Sequence, residues 1–399
     1  MLQSTSRVSL RSFDCETLPA SVAVSQFQGR SGVDEYHLIV RPRQYGSIAI
    51  QLQSVLSAYR DACRSLGLDM QTALLRRFFC SDLPNQATAL EALPFSNPRN
   101  TEPPCAVSWV GQSPMPPARV ALWTYHVSDP TCELDKMREG ASITLRRGEL
   151  SHCWTTGITC AGADTSYGQT RGVFETYEAC LQSRDLSLTD NVIRTWLFLQ
   201  NVDSNYQGMV AARRELFAER GLTPYTHFIA STGVEGASAD VAAKVTLDAY
   251  AISGVRREQI EFLAAPDYLS PTHVYGVTFE RGASVAYQDR KHVILSGTAS
   301  IDRDGKILYP GDVSRQLDRT LVNIEALLRQ AGAAFEDVCM FIVYVRDPND
   351  LVLASQQMRQ RFGDVPTAVA VAGVCRPGWL IEVECEAIVS ASNPELPAF

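Results

Sequence analysis

Long apolar runs are missing from this chain of 399 residues, and none approaches the about 18 apolar residues of a membrane-spanning helix. The N-terminal segment, MLQSTSRVSLRSFDCE, also lacks the apolar stretch of a secretory signal. Basic residues are sparse and dispersed, with 36 Lys and Arg against 44 Asp and Glu. Because a nucleic acid requires a clustered basic face, we expect a cytoplasmic protein that contacts neither membrane nor nucleic acid.

Paired cysteines are absent as well, since the 11 cysteines form no C-x-x-C motif and their number is odd. This usage is typical of small buried side chains in a reducing cytosol. The closest approach to a zinc motif is His152, Cys153 and Cys160, but the alternation in HCWTTGITC favours a strand. Walker, G-x-S-x-G and G-x-G-x-x-G motifs are also absent, so we predict neither a metal nor an organic cofactor.

The sequence does contain enough apolar material for folded domains, with 45% hydrophobic and 20% charged residues. In the last third, apolar residues recur at helical spacing over 311–332, and Gly332 lies where a helix C-terminal cap belongs. Around this helix the sequence predicts a β-α-β-α-β-β order: strands 292–302 and 337–347, a helix near 350–361, and strands 367–374 and 379–390.

The same order of elements recurs twice upstream. We therefore predict an α+β fold of three tandem units at 1–130, 150–252 and 285–390, joined by polar, turn-rich linkers at roughly 130–150 and 252–285. Each unit would leave one sheet face uncovered. Three of them would bury those faces together as a pseudo-trimer, with functional sites in the clefts between units.

The C-terminal unit resembles the YjgF/Rid family, also known as the endoribonuclease L-PSP family. The resemblance rests on HVILSGTASID, on the GDV…Q…N…LL…AG helix, on FIVYVRDPND and on IEVECEA. It implies a chorismate-mutase-like fold, trimeric packing with sites between units, and hydrolysis of reactive enamines and imines. In deaminating members an arginine follows the proline before the penultimate strand, whereas here Thr367 follows Pro366. Ordinary imine deamination is therefore the less favoured activity.

A second resemblance extends over roughly 190–390. RTWLFLQN, STGVEG, SPTHVYGVTFERG, LSGTASI and VCRPGWLIEVE resemble the chorismatases, which cleave or rearrange chorismate with two Rid-like halves. This resemblance implies that Glu382 is the catalytic acid, whereas a one-residue shift in the alignment with simple Rid domains favours Glu384.

Glu382 and Glu384 alternate on one predicted strand, so both side chains point to the same face. Crowding of two carboxylates raises the pKa of one of them and leaves a neutral acid beside an anion. Such an acid can protonate the carbon of an enol ether or enamine. The simpler alternative is an edge strand with two solvated glutamates.

Arginine and aromatic residues are candidates for substrate binding. Arg376 in VCRPGW and Arg281 in VTFERG could bind substrate carboxylates bidentately. Arg194 lies inside the strand NVIRTWLFL, where a charge needs a partner or a pocket. We also expect the pocket wall to include Cys375, Tyr206 and Tyr275, although a buried inert thiol and plain core aromatics are the simpler interpretations.

These observations predict a cofactor-independent enzyme that acts on a small molecule with carboxylate groups. The expected substrate is an enol ether or enamine such as chorismate, protonated by a glutamic acid. The alternatives are a Rid-type enamine or imine deaminase and a metabolite-binding protein without catalysis. The sequence leaves open which cleft is active, and whether the chain is a monomeric pseudo-trimer or a homo-oligomer.

Overall fold

The computed structural model describes residues 8–13, 18–131 and 134–399. Within these ranges six α-helices and nineteen strands form a mixed α+β fold with three sheets. None of these helices is long and apolar enough to cross a membrane.

The first sheet is built from the N-terminal third. Its elements, with one short strand that joins another sheet, are β1 (Val8–Phe13), β2 (Ala20–Phe27), β3 (Asp34–Pro42), α1 (Ile48–Leu66), β4 (Ala73–Cys80), α2 (Leu83–Glu91), β5 (Ala106–Val110), β6 (Ser113–Pro114) and β7 (Val120–Ser128). The strand order is β1-β2-β3-β7-β4-β5. Only β4 and β5 run parallel, because α2 connects them as a crossover.

The second sheet repeats this arrangement in the middle of the chain. Its elements are β8 (Asp135–Glu139), β9 (Ser142–Arg147), β10 (Leu150–Ile158), α3 (Ser166–Gln182), β11 (Val192–Leu199), α4 (Val202–Glu219), β12 (Ala230–Glu235) and β13 (Val245–Ser253). The strand order is β12-β11-β13-β10-β9-β8, and β11 and β12 form the parallel pair.

The third sheet contains the C-terminal elements. They are β14 (Ile260–Leu263), β15 (Gly282–Ala286), β16 (Arg290–Ala299), α5 (Val313–Gln330), β17 (Val338–Val345), α6 (Leu351–Phe362), β18 (Thr367–Val371) and β19 (Ile381–Ser390). The order is β14-β15-β16-β19-β17-β18-β6, so the short β6 of the first third closes the edge of the third sheet.

Helix α5 forms where the apolar spacing predicts it. The Asp312 side chain caps its N-terminus by accepting a hydrogen bond from the Arg315 backbone N–H. Gly332 follows the helix with a φ of 72°, a left-handed conformation that glycine adopts without strain. The side chains of Leu317, Ile324 and Leu328 are buried against the third sheet.

The two segments predicted as linkers instead contain strands. The segment 130–150 includes β8 and β9, and the segment 252–285 includes β14 and β15. Strand β8 lies at a sheet edge and is largely solvent-accessible, so its sequence DKMRE is as polar as that of a loop.

Each sheet packs helices on one face, and the other faces meet in the interior. One apolar cluster draws residues from all three sheets, including Trp123, Trp154, Trp196, Tyr250 and Ile342. Large side chains on these facing surfaces therefore hold the three sheets against one another.

The described cysteines agree with the prediction of unpaired thiols. Nine of them are free, and six of these nine are buried. Cys15 and Cys132 lie outside the described residues.

Candidate active site

The candidate site lies where the second sheet meets the third. Backbone bridges join Val234 to Val374 and Ala230 to Glu280 across this junction. The second sheet contributes β11, β12 and α4, and the third contributes β16, β19 and the loop before β19. Residues from distant parts of the chain therefore converge there.

Glu384 is buried and accepts hydrogen bonds from four side chains. Its Oε2 accepts from Arg194 Nη2 at 2.6 Å and from the Thr232 hydroxyl. Its Oε1 accepts from Trp196 Nε1 at 3.0 Å and from the Tyr344 hydroxyl at 3.1 Å. Both oxygens of this carboxyl group therefore have two hydrogen-bond donors each.

Glu382 lies in a different environment on the same strand face. Its side chain is 5% exposed, and no residue of the described chain donates a hydrogen bond to its carboxyl group. Burial, and then the negative charge of Glu384, raise the pKa of Glu382 to about 8, although Arg194 and Arg281 act in the opposite direction. Glu382 is therefore mostly protonated at neutral pH.

Gly297 makes room for the Glu382 carboxyl group. A β-carbon at this glycine would lie 2.0 Å from Glu382 Oε1 and 2.7 Å from Glu382 Cδ. Gly297 lies at an irregularity in the pairing of β16 with β19, between the pairs Leu295–Cys385 and Thr298–Val383. This irregularity and the absent side chain together leave space for the acid.

Arg281 and Arg376 both contact Tyr275. The guanidinium carbons lie 5.4 Å and 4.9 Å from the centre of the Tyr275 ring, respectively. Arg281 is 5% exposed and donates to the Ser270 carbonyl at 2.8 Å, while Arg376 donates to the Tyr275 carbonyl at 3.2 Å. Neither arginine forms an ion pair with a carboxylate of the described residues, so both guanidinium groups can bind an anion.

Cys375 and Tyr206 connect this arginine pair with Glu382. Cys375 packs against the apolar clusters of both the second and the third sheet. Burial, and then the nearby Glu382, raise the pKa of the Cys375 thiol to about 12. Burial also raises the pKa of Tyr206, with a further contribution from Cys375. A thiol with so high a pKa is a poor nucleophile, so the geometry places Cys375 as a wall residue.

Arg213 of α4 belongs to the same group of residues, and our sequence analysis missed it. It is 2% exposed, and its Nη1 donates to the Ser231 hydroxyl at 3.3 Å, with no ion pair to a described carboxylate. Burial lowers the pKa of Arg213, whereas Tyr206, Cys375 and Tyr275 raise it. The helical spacing of Tyr206, Val210, Arg213 and Phe217 puts Arg213 on the apolar face of α4.

Arg194, in contrast, is occupied by protein groups. Its Nη1 donates to the Ser296 hydroxyl at 3.1 Å, and its Nη2 donates to Thr232 and Glu384. The structure thus brings Glu382, Cys375, Tyr206, Tyr275, Arg281 and Arg376 together, while Arg194 and Glu384 pair with each other beside them.

The donors in this group of residues suit proton transfer and anion binding. Arg281 acts on the buried neutral carboxylic acid, and Arg376 and Arg213 lie beside Tyr275; none of the three arginines has an acidic partner among the described residues. Over residues 8–13, 18–131 and 134–399, no group of three His, Cys, Asp or Glu side chains is arranged to hold a metal ion.

Comparisons with known proteins place these features in a family. The family model described as endoribonuclease L-PSP matches residues 282–389. A RutC family protein of Pyrococcus abyssi is 31% identical over 96 residues, which are 24% of this chain and 76% of that protein. One of Pyrococcus horikoshii is 30% identical over 105 residues, which are 26% of this chain and 83% of that protein.

A solved chorismatase structure is similar over a longer range. It aligns with a TM-score of 0.60 over 79% of this chain and 93% of its own length, at 16% sequence identity. At this identity the similarity concerns the fold. The relatives and the family model show that the chain belongs to the YjgF/Rid superfamily.

Proposed function

We propose that this protein is a cofactor-independent enzyme that protonates carbon in a carboxylated enol ether or enamine, with chorismate as the first substrate to test. The observation that carries the proposal is the Glu382 carboxyl group, which is buried, has no hydrogen-bond donor among the described residues, and has a pKa of about 8. A group that is merely structural would gain stability from a donor. An acid that must deliver a proton has to keep its O–H free for the substrate.

The three arginines support an anionic substrate. Arg213, Arg281 and Arg376 contribute positive charge to a cleft in which Glu382 is neutral. Burying such charge without a counter-ion is costly. A substrate with one or more carboxylates would remove this cost on binding, and Tyr206 and Tyr275 would pack against its ring.

Arg194 and Glu384 have a positioning role in this proposal. The sequence suggested that Arg194 binds a substrate carboxylate, but its amino groups already donate to Glu384, Thr232 and Ser296. We therefore assign it to holding Glu384 as an anion. That anion raises the pKa of Glu382 and keeps the acid protonated.

We further propose that the chain is a pseudo-trimer of three tandem units, near 1–130, 150–252 and 285–390. The support comes from strand register. Strands β4, β11 and β17 pair with β7, β13 and β19, and each pairing has a register shift after its first residue pair. Ala121, Thr246 and Glu382 each lie in the fifth residue pair after that shift. Only the last is an acid, so we expect one active cleft, between the second and third units.

The test is incubation of the purified protein with chorismate, followed by mass spectrometry of the products. We expect release of pyruvate with a hydroxybenzoate or dihydrodiol product, and binding of one ligand per chain by calorimetry. Glu382→Gln should lower turnover by about 10²–10⁴-fold. The exposed Glu258→Gln serves as the control and should keep full activity. Full turnover by Glu382→Gln would overturn the proposal.

The second candidate is hydrolysis of an imine or enamine. It is favoured by Arg213 and Arg281, which put guanidinium groups in the cleft from positions other than that after Pro366. Turnover of a dehydroamino acid, with chorismate left intact, would select this activity. Thermal stabilisation by chorismate without any turnover would instead indicate a metabolite-binding protein.

A further inference from the structure

A cavity lies in the interior where the three sheets meet, on the opposite side of each sheet from its helices. Its volume is about 40 Å³. Its walls combine aliphatic and aromatic side chains, among them Tyr125, Trp154, Trp196 and Tyr250, with four titratable residues: Glu35, His37, His292 and Glu386. By the space that one water requires, it holds about three water-sized particles.

Glu386 lines this cavity without a hydrogen-bond donor in the described parts of the chain. The side chain keeps 24% of its surface accessible, and its Oε2 lies 3.9 Å from His37 Nε2. That separation is too long for a hydrogen bond. Glu35, which also lines the cavity, already pairs with Arg290 and His292, so Glu386 is the carboxylate left open to a ligand.

His37 is the second polar group without a full set of partners. Its side chain is 2% exposed, and its Nδ1 accepts a hydrogen bond from Trp123 Nε1 at 3.3 Å. Burial lowers the pKa of His37 to about 4, so the ring is neutral and carries its proton on Nε2. No described group accepts that proton within hydrogen-bond distance, so a water in the cavity is needed to take it.

The buried carboxylates around the cavity do not all have a cationic partner. Glu35 pairs with Arg290 at 2.6 Å, and Arg290 also pairs with Asp289. Arg77 pairs with Asp248, and Arg194 pairs with Glu384. Arg77, Arg194 and Arg290 therefore each have a carboxylate partner, whereas Glu386 forms no ion pair with a Lys or Arg of the described residues. The interior would gain from one additional positive charge.

We propose that this cavity binds one small monovalent cation of the ammonium class, held by Glu386 and by the ring faces of Tyr125, Trp154 and Tyr250. Arg77 and Arg194 already lie over the Trp196 ring. Aromatic faces attract cations through their quadrupole, most strongly where water is excluded. The remaining space holds a water that accepts from His37. A space of about 40 Å³ suits a small ion better than a larger quaternary ammonium ion.

This site is distinct from the Glu382 cleft and does not rest on its proposed activity. Glu386 lies four residues beyond Glu382 on β19, which corresponds to roughly 13 Å along a strand. The two carboxyl groups have the same strand face but different neighbours.

The experiment compares thermal unfolding of the whole protein in ammonium chloride and in sodium chloride at equal ionic strength. The pH should be about 8, because burial raises the pKa of Glu386 to about 7; Arg194 and Arg77 lower that pKa, and Glu384 and Glu35 raise it. We expect ammonium to raise the midpoint by about 1–3 °C at saturating concentration. Tetramethylammonium should have no such effect.

Glu386→Gln should abolish the difference between ammonium and sodium, while Glu261→Gln, an exposed carboxylate, should keep it. Should Glu386→Gln fail to fold, ¹⁵N NMR of labelled ammonium with the wild-type protein decides the matter, since an enclosed ion gives slowly exchanging N–H signals. Equal midpoints in ammonium and sodium, or absence of a protected ammonium signal, would overturn the proposal.

Discussion

Three glutamates on one strand illustrate what a residue pattern can and cannot predict. The alternation of Glu382, Glu384 and Glu386 correctly indicates one shared face. Their environments differ because the partners come from other elements: Glu384 has Arg194 and Trp196, whereas no hydrogen-bond donor of the described chain reaches Glu382. Strand period contains no information about such partners, so the sequence left the choice between Glu382 and Glu384 open.

The raised pKa of Glu382 predicts how stability depends on pH. In the unfolded chain this carboxyl ionises near 4.5, but in the folded protein it keeps its proton up to about 8. Between these values the native state binds one more proton than the unfolded state. The contribution of Glu382 to the free energy of unfolding is therefore complete below pH 4.5. It is lost as the pH rises toward 8, at up to about 1.4 kcal/mol per pH unit.

Glu382→Gln should remove this contribution. We expect its free energy of unfolding to fall less steeply between pH 5 and 8 than that of the wild type, and the variant to be the more stable protein near pH 8. Urea denaturation at several pH values measures both slopes. Parallel slopes for the two proteins would mean that Glu382 ionises normally in the folded state.

At the scale of elements, the helices and the central strands were predictable because their patterns are local. Helix α5 and strand β17 lie within a few residues of their predicted bounds, 311–332 and 337–347. Strand β8 was missed because an edge strand need not be apolar, and its hairpin partner β9 was missed with it. Arg213 was missed because a single basic residue on an apolar helix face gives a weak signal.

The ion pair between β11 and β19 gives a prediction at this scale. Arg194 and Glu384 are 1% and 4% exposed, and their atoms approach to 2.6 Å. Removing one partner leaves the other charge buried and unpaired, so Glu384→Gln should cost about 3–5 kcal/mol of stability. The double variant Arg194→Met/Glu384→Gln should cost less than the sum of the two single changes by about 1–3 kcal/mol.

Chemical denaturation of the four proteins measures this coupling. Glu325→Gln is a suitable comparison, because the Arg329–Glu325 pair of α5 is 64% and 50% exposed. Its loss should cost no more than about 0.5 kcal/mol. Additive costs for Arg194 and Glu384 would contradict the proposed dependence of one buried charge on the other.

At the scale of the whole molecule, recurring element order predicted three related units, but it did not predict how their surfaces meet. The interior cavity shows why: Tyr125, Tyr250 and Glu386 line it from three different sheets. Each lies in the first residue pair after the register shift between two strands of its own sheet. These three strand positions form one cavity wall only because the three sheets contact one another, and the local sequence of each strand does not specify that contact.

The shared interior predicts that the chain unfolds as one unit. One apolar cluster includes side chains of all three sheets, and β6 from the first third completes the edge of the third sheet. No sheet can separate without exposing large aromatic side chains of its neighbours. We therefore expect a single calorimetric transition whose van't Hoff and calorimetric enthalpies agree.

Trp123→Ala provides the sharpest version of this test. Trp123 is 1% exposed in the first sheet, and its loss should cost about 3–5 kcal/mol. Because the cluster is shared, the whole transition should move to lower temperature as one peak. Leu353→Ala, at a side chain that is 38% exposed on α6, should leave the midpoint nearly unchanged. A second peak in the Trp123→Ala scan would mean that the first unit unfolds alone and that the interior contacts do not couple the three sheets.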